Sequence, residues 1–411
     1  MPAAHGHTAS GRAGSAPALA TRPAGLVEAT WADLPLLADG AVVGPGGGAV
    51  AIPTGGSAVV APALRQAQSA WIANGTVPGP TERSDLAVQA LRDLDALVLA
   101  DGSAIAAASP GWDLVWPRDA SFVAAALART GHPGDALAVL ERLAALHAAS
   151  ADGVFEARYV PSDGSVPDGR ARQLDGCGWA LWAVAHWRQA APGDPAGLAT
   201  LEPMVRGCLD AIDREVSPVT GLPGPWPDYW EVAETVPTLG TVAALLAGVS
   251  ASAPVAAELG GGTPDQVARL RERLERGVAA FGPTYSRHLG GSERDTAVAF
   301  LMPPFAADAD PGVHAAWLAA LDGMARPAGG LAPGEAWRRD GVSWTPTTTV
   351  FALTAAGYGD RSTADALLDW LDTPRTAAGA APGTRPPGGP APWAAGPPGT
   401  RAGTPMAASA S

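Results

Sequence analysis

The sequence predicts an all-α toroid of helical hairpins, led in by a short irregular or β segment and missing the last helix of its ring. Three observations carry that expectation. From about residue 81 to 372, apolar residues recur at helical spacing in about eleven segments, with no sustained β alternation after residue 62. Segments apolar nearly all round, such as Ala120–Ala128 and Trp179–His186, alternate with amphipathic ones such as Pro264–Arg276, as inner and outer helices of a ring do. Long loops rich in Trp, Gly and Asp (150–170, 215–232, 284–293 and 326–344) lie at one end. A closed ring of six hairpins needs twelve helices, one more than the pattern supplies.

Residues 1–25 are of low complexity and are expected to be disordered. They hold no continuous apolar stretch of the kind a signal peptide needs, so a cytoplasmic location is expected. Residues 26–76 form an extended lead-in, in which Ala41–Val43 and Ala49–Ile52, broken by glycine, suit a small β hairpin. Residues 77–375 form the helical domain. Helices are expected near 81–100, 119–130, 133–149, 173–190, 196–214, 235–252, 264–281, 294–302, 311–325, 345–357 and 361–372. Thr81, Ser84 and Asp85 suit a cap on the first, and Thr263-Pro264-Asp265 opens another with proline at its first position. Residues 376–411 are rich in Pro, Gly and Ala and can neither form a helix nor bury a face; a disordered tail or a damaged end is expected.

The bulk numbers exclude several classes. The chain has 411 residues, 47% hydrophobic and 16% charged, enough for one large core. Its formal net charge is -13, and all 27 basic side chains are arginine. Such a chain is repelled by phosphate backbones, which excludes nucleic acid as a partner. The 51 Gly and 40 Pro are the mark of a GC-rich gene. Thr238–Ala257 carries no charge, but it is mostly Ala, Gly, Ser and Thr with Pro254 inside, so a buried helix is expected and no membrane span. Cys177 and Cys208 lie on helical patterns and read as buried thiols.

Two motifs carry the chemistry. In Trp116-Pro117-Arg118-Asp119, a planar guanidinium beside a carboxylate suits neighbouring sugar hydroxyls. The plain structural alternative is a surface ion pair with Asp119 capping the next helix. In Asp228-Tyr229-Trp230-Glu231, a carboxylic acid beside an indole is desolvated and so suited to protonate a glycosidic oxygen. A carboxylate at a helix start is the alternative, and Glu234 fits that better. Trp112, Trp116, Trp226, Trp230, Trp337 and Trp344 cluster in the loops, where flat rings with a polar N–H suit sugar faces. Trp182, Trp187, Trp317 and Trp370 fit ordinary packing.

With Gln173-Leu174-Asp175-Gly176-Cys177-Gly178-Trp179, Thr238-Leu239-Gly240-Thr241 and Trp344-Thr345-Pro346, these motifs form an ordered set over roughly residues 80–375. In that order and spacing the chain resembles glycoside hydrolase family 15, the glucoamylase, glucodextranase and trehalase family, in its bacterial form. The resemblance implies an (α/α)6 barrel, an oligosaccharide substrate, hydrolysis with inversion, and neither cofactor nor metal. It implies Glu231 as general acid. It implies Trp116, Arg118, Asp119, Asp175, Trp179, Asp228, Trp230 and Trp337 as substrate-binding residues, although Asp175 also reads as a helix cap.

An inverting glycosidase needs a second carboxylate to activate water. In the family it follows the eleventh helix in a Pro-Glu loop, before a closing apolar helix. Here that stretch is Gly379-Ala380-Ala381-Pro382-Gly383-Thr384, with Gly383 at the glutamate position. A frameshift near residue 376 is one hypothesis for such a tail, tested by reading the gene in its other frames. Glu335 is the comparable carboxylate in a late tryptophan-bearing loop and the candidate substitute base; Asp340 is a poorer one. Two competitors remain: a carbohydrate-binding barrel impaired in catalysis for want of the base, and a helical-toroid zinc enzyme. The latter needs Cys/His ligands, and His186 is the one histidine at ligand-like spacing from Cys177.

Overall fold

The computed structural model describes residues 62–107, 111–327 and 329–373, with strand segments at 27–29, 41–43, 49–51, 58–60 and 384–385. The expected disorder at 1–25 and along the 376–411 tail falls outside the described residues, 384–385 apart. The lead-in holds two antiparallel pairs. β2 (Ala41–Val43) and β3 (Ala49–Ala51) form a hairpin in the register Ala41↔Ala51, and β1 (Val27–Ala29) pairs with β4 (Ala58–Val60).

Proline and polar caps fix where helices begin. Proline stands in the first turn of α1 (Pro62–Asn74), α3 (Pro117–Arg129), α4 (Pro133–Ala148), α6 (Pro195–Glu215) and α10 (Pro311–Met324), where its missing N–H costs nothing. Asp194 accepts from Gly197 N for α6 and Asp310 from Gly312 N for α10. The Thr238 side chain does the same for α7 (Leu239–Ala251), as Asp360 does for α12 (Arg361–Asp372). The caps expected at Thr81, Ser84 and Thr263 are not made: Thr81–Arg83 is a single 3-10 turn running into α2 (Ser84–Leu97), and α9 (Thr263–Ala279) starts behind Gly262.

The helices build the (α/α)6 toroid. The inner ring runs α3, α5 (Asp175–Ala190), α7, a 3-10 helix (Thr296–Leu301) and α11 (Thr345–Tyr358), each packed on the next. The outer ring includes α4, α6, α9, α10 and α12. Five hairpins result, and among the described residues no inner helix stands between α11 and α3. There Pro346, Thr349, Leu353 and Ala356 of α11 are exposed along one stripe. On the outer side Arg83 reaches α12, pairing with Asp365 at 3.1 Å and Asp369 at 2.8 Å.

Three elements differ from expectation. Residues 62–74 form α1, where an extended lead-in was expected, because the stretch after Pro62 is free of glycine and rich in helix formers. The run 238–257 breaks by 50° at Ser252 and continues as α8 (Ala253–Leu259), with Pro254 in its first turn. The expected helix at 294–302 is a six-residue 3-10 helix of the inner ring. α7 is buried almost throughout. No single helix among the described residues is long and apolar enough to cross a membrane, and the bent pair α7–α8 alone meets that test by composition.

Inside the ring, Phe122, Trp179, Trp182, Phe300 and Phe305 pack with centroids 4.8–5.9 Å apart. Such contacts contribute about 0.5–1.5 kcal/mol each beyond burial, and they give the ring a solid floor. Trp187 and Trp317 are fully buried, in keeping with a packing role.

Candidate active site

The N-terminal ends of the inner helices all open on one end of the ring, so the loops entering them converge there. Trp116 precedes α3, Asp175 opens α5, Thr238 precedes α7, Asp295 precedes the 3-10 helix and Trp344 precedes α11.

The Asp228–Glu231 motif folds on itself. The Asp228 carbonyl accepts from Glu231 N at 2.8 Å, and its Oδ1 accepts from Trp230 N at 2.9 Å. The turn holds Glu231 at φ 55, in the left-handed region that costs a non-glycine residue about 1 kcal/mol or more. Trp116 Nε1 donates to Glu231 Oε1 at 2.6 Å, Arg118 Nη2 stands 3.7 Å from the same oxygen, and Arg170 pairs with Oε2. The indole against this acid is therefore Trp116, not its chain neighbour Trp230.

Arg118 sits in the first turn of α3, behind the fixed φ of Pro117. Its Nη1 donates to Gln173 Oε1 at 3.1 Å and to Asp175 Oδ2 at 3.3 Å, and Nε lies 3.6 Å from Asp119. Burial alone would lower this guanidinium's pKa; the carboxylates of Asp175, Asp119 and Glu231 raise it. Burial pushes Asp175 up to about 6 against the pull of Arg118. Asp119 is also pushed up by burial, but its side chain is 46% exposed, so water in the cleft tempers that effect.

A second arginine organises the far side. Arg287 Nη2 donates to Asp228 Oδ1 at 2.9 Å and Glu234 Oε1 at 2.6 Å, Nε lies 3.4 Å from Asp295, and the guanidinium covers the Trp230 ring at 4.5 Å. Asp295 Oδ2 accepts from Tyr229 OH at 2.6 Å and Trp230 Nε1 at 2.9 Å, while Oδ1 caps Ala297 N. Burial raises Asp295 to about 6, with Arg287 opposing. Asp175 Oδ1, Asp228 Oδ2, and Nε1 of Trp337 and Trp344 are buried polar atoms without a protein partner. Groups of that kind are rare unless a ligand or water uses them.

The structure thus brings Trp116, Arg118, Asp119, Asp175 and Glu231 into one hydrogen-bonded and ionic group. Asp228 and Trp230 join it through the motif turn, and Trp337 stacks edge-on to Trp230 at 5.0 Å. Two candidates stand apart. Trp179 is wholly buried in the aromatic floor, its Nε1 also without a protein partner. Glu335 is tied to Arg294, accepting from its backbone N at 2.6 Å and from Nη2 and Nε at 2.8 and 3.2 Å. It lines a cavity of about 580 Å³ with Glu293, Trp337, Arg338 and Arg339. A larger cavity, about 1050 Å³, lies at the opposite end of the ring, between the C-terminal halves of α5 and α7. Gly383 falls outside the described residues, but β6 (Thr384–Arg385) pairs with β5 (Ser343–Trp344), so the chain after Gly383 returns to the site end.

Arg170, Gln173, Arg287 and Asp295 escaped the sequence reading as site residues. Arg170 and Arg287 lie in the long loops 150–170 and 284–293, whose length was the available signal; Asp295 fell inside the helix expected near 294–302.

No family model matches the chain, and no curated protein matches it. Among solved structures, a wild-type glycosidase is similar at 22% identity and TM-score 0.62, over 73% of this chain and 87% of that one. A bacterial glucoamylase complexed with acarbose matches at 14% identity and TM-score 0.58, over 78% of this chain and 54% of that one. A metal-independent α-mannosidase of Streptococcus pneumoniae, complexed with α-1,6-mannobiose, matches at 13% identity and TM-score 0.55, over 71% and 84%. The likeness is one of fold: the chain shares its toroid with glycosidases.

Proposed function

We propose that this chain is an inverting, exo-acting glycoside hydrolase of family 15 type that releases glucose from α-linked glucose oligosaccharides. The observation that carries this reading is Glu231, held in a left-handed turn and gripped by Trp116 and Arg170 at the end of a glycosidase toroid. The sugars bound by similar structures, glucose and acarbose among them, support a carbohydrate substrate.

In this reading Glu231 protonates the glycosidic oxygen, and Arg170 yields Oε2 as substrate enters. Arg118 and Asp119 hold adjacent hydroxyls of the terminal ring. Asp175 and Asp228 offer their unpartnered oxygens to further hydroxyls. Trp116, Trp230 and Trp337 supply apolar faces, and Trp179 supports them from the floor. Water attack is the weak step. Glu335, the candidate substitute base, is engaged by Arg294. An acid–base partner that is not free to act costs about 10²–10⁴-fold in rate, so slow turnover is expected.

The test is glucose release from maltotriose, isomaltotriose, trehalose and dextrin by the chain and by Glu231→Gln, with the anomer of the first product read by NMR. Release as β-glucose, lost in the variant, is expected. Release undiminished in the variant would remove Glu231 from the acid role. Bound oligosaccharide without release from either protein would leave a binding barrel.

A further inference from the structure

We propose that His147, Cys177 and Cys208 form a buried site for a thiophilic metal ion of the zinc class, independent of the sugar chemistry. The three residues come from three helices: His147 from the last turn of α4, Cys177 from the first turn of α5 and Cys208 from α6. All are buried, and their potential ligand atoms lie within 4.8 Å of one another. Spacing along the chain concealed this, because the histidine that meets the thiols is not His186 but one thirty residues before Cys177.

The donor chemistry fits. Two thiolates and an imidazole are what zinc takes, at about 2.3 Å for sulfur and 2.0–2.1 Å for nitrogen. A tetrahedral ion with those bonds holds its ligand atoms about 3.5 Å apart, so closure needs side-chain shifts of about 1 Å. Both thiols release their protons to the solvent as the ion binds, and the imidazole binds neutral.

The surroundings are shaped for the ring. The Gly153 carbonyl accepts from His147 Nε2 at 3.0 Å and from the Cys177 thiol at 3.2 Å. A backbone carbonyl holding one ring nitrogen, so that the other keeps its lone pair, is the usual support of a metal-bound histidine. A Cβ at Gly207 would come within 2.5 Å of His147 Cε1, so a side chain there would displace the imidazole. Gly153 has φ +72, and a Cβ on it would meet the Gly207 carbonyl at 2.9 Å. Phe155 closes the side with its ring 5.0 Å from the imidazole. An ion here pegs the first turn of α5 to two outer helices, two residues from Asp175.

The experiment uses the full chain, purified under reductant, stripped with chelator and titrated with Co²⁺. We expect thiolate-to-cobalt charge-transfer absorption in the near ultraviolet, saturating at one ion per chain and displaced by Zn²⁺. Cys208→Ser and His147→Gln, checked for helical circular dichroism, should weaken binding at least ~10-fold, while His314→Gln should leave it unchanged. No charge-transfer absorption in the unmodified chain would overturn the site, whatever the variants do. Equal binding by folded Cys208→Ser would overturn it too. Either result is independent of glucose release.

Discussion

Replacing Arg287 by leucine should destabilise the chain strongly while leaving Glu231 untouched. Arg287 is 8% exposed and faces Asp228, Glu234 and Asp295, whose side chains are at most 5% exposed. Removing the cation strands carboxylates that cannot reach water, at about 3–5 kcal/mol for a broken buried pair. The contact with Trp230 adds about 0.5–2 kcal/mol. Unfolding entropy near 2.1 cal/mol/K per residue, over roughly 300 ordered residues, gives about 0.6 kcal/mol/K, so 3–5 kcal/mol lowers Tm by about 5–8 °C. The loss should depend on pH. Asp295 already titrates near 6 when folded, and without Arg287 it rises further. A carboxyl raised in the folded state favours folding below its unfolded pKa of about 3.9 and loses that contribution as pH climbs through the folded value. The gap between the two proteins should therefore widen from pH 4 to pH 8. Calorimetric scans across that range test this; a Tm loss under about 2 °C, or one independent of pH, would refute the buried-charge account.

Other outcomes follow from the same geometry. Burial likewise holds Asp175 up at about 6, so this group alone should withdraw about 2 kcal/mol as pH rises from 4 to 6, and Asp175→Asn should flatten that slope in denaturant titrations. Arg118→Lys keeps the charge but loses the fork to Gln173 and Asp175; kcat/KM for glucose release should fall at least ~10-fold. Glu335→Gln should lower Tm while changing kcat less than ~3-fold; a fall of ~100-fold would make it the base after all. Arg83→Ala should cost under about 1 kcal/mol, because Asp365 and Asp369 are half or more exposed, yet hydrogen exchange in α12 should quicken.

Much of the fold was legible because it rests on local signals. Pro117, Pro133, Pro195 and Pro311 mark helix starts within a residue or two of where the chain turns. The apolar run 179–186 announces an inner helix. The short turn at 296–301 was not separable from a helix, since so short an apolar run satisfies either period. The site was legible where it lies in contiguous motifs, as with Trp116–Asp119 and Asp228–Glu231. Arg170, Arg287 and Asp295 reach it through tertiary packing of loops, which carry no period. His147 and Cys208 meet for the same reason.

Gly178 and Gly248 set how closely the inner helices α5 and α7 approach. A Cβ on Gly178 would stand 2.4 Å from the Ala244 carbonyl oxygen, and one on Gly248 would stand 2.0 Å from that of Gly178. α5 and α7 therefore touch backbone to backbone, one turn below Asp175. The gauge of the mouth is fixed by two missing methyl groups outside it. Exchanging side chains in the loops changes what lines the mouth, but the distance between these two walls stays as it is. Breadth and selectivity in this barrel are thus separate traits, altered by different mutations.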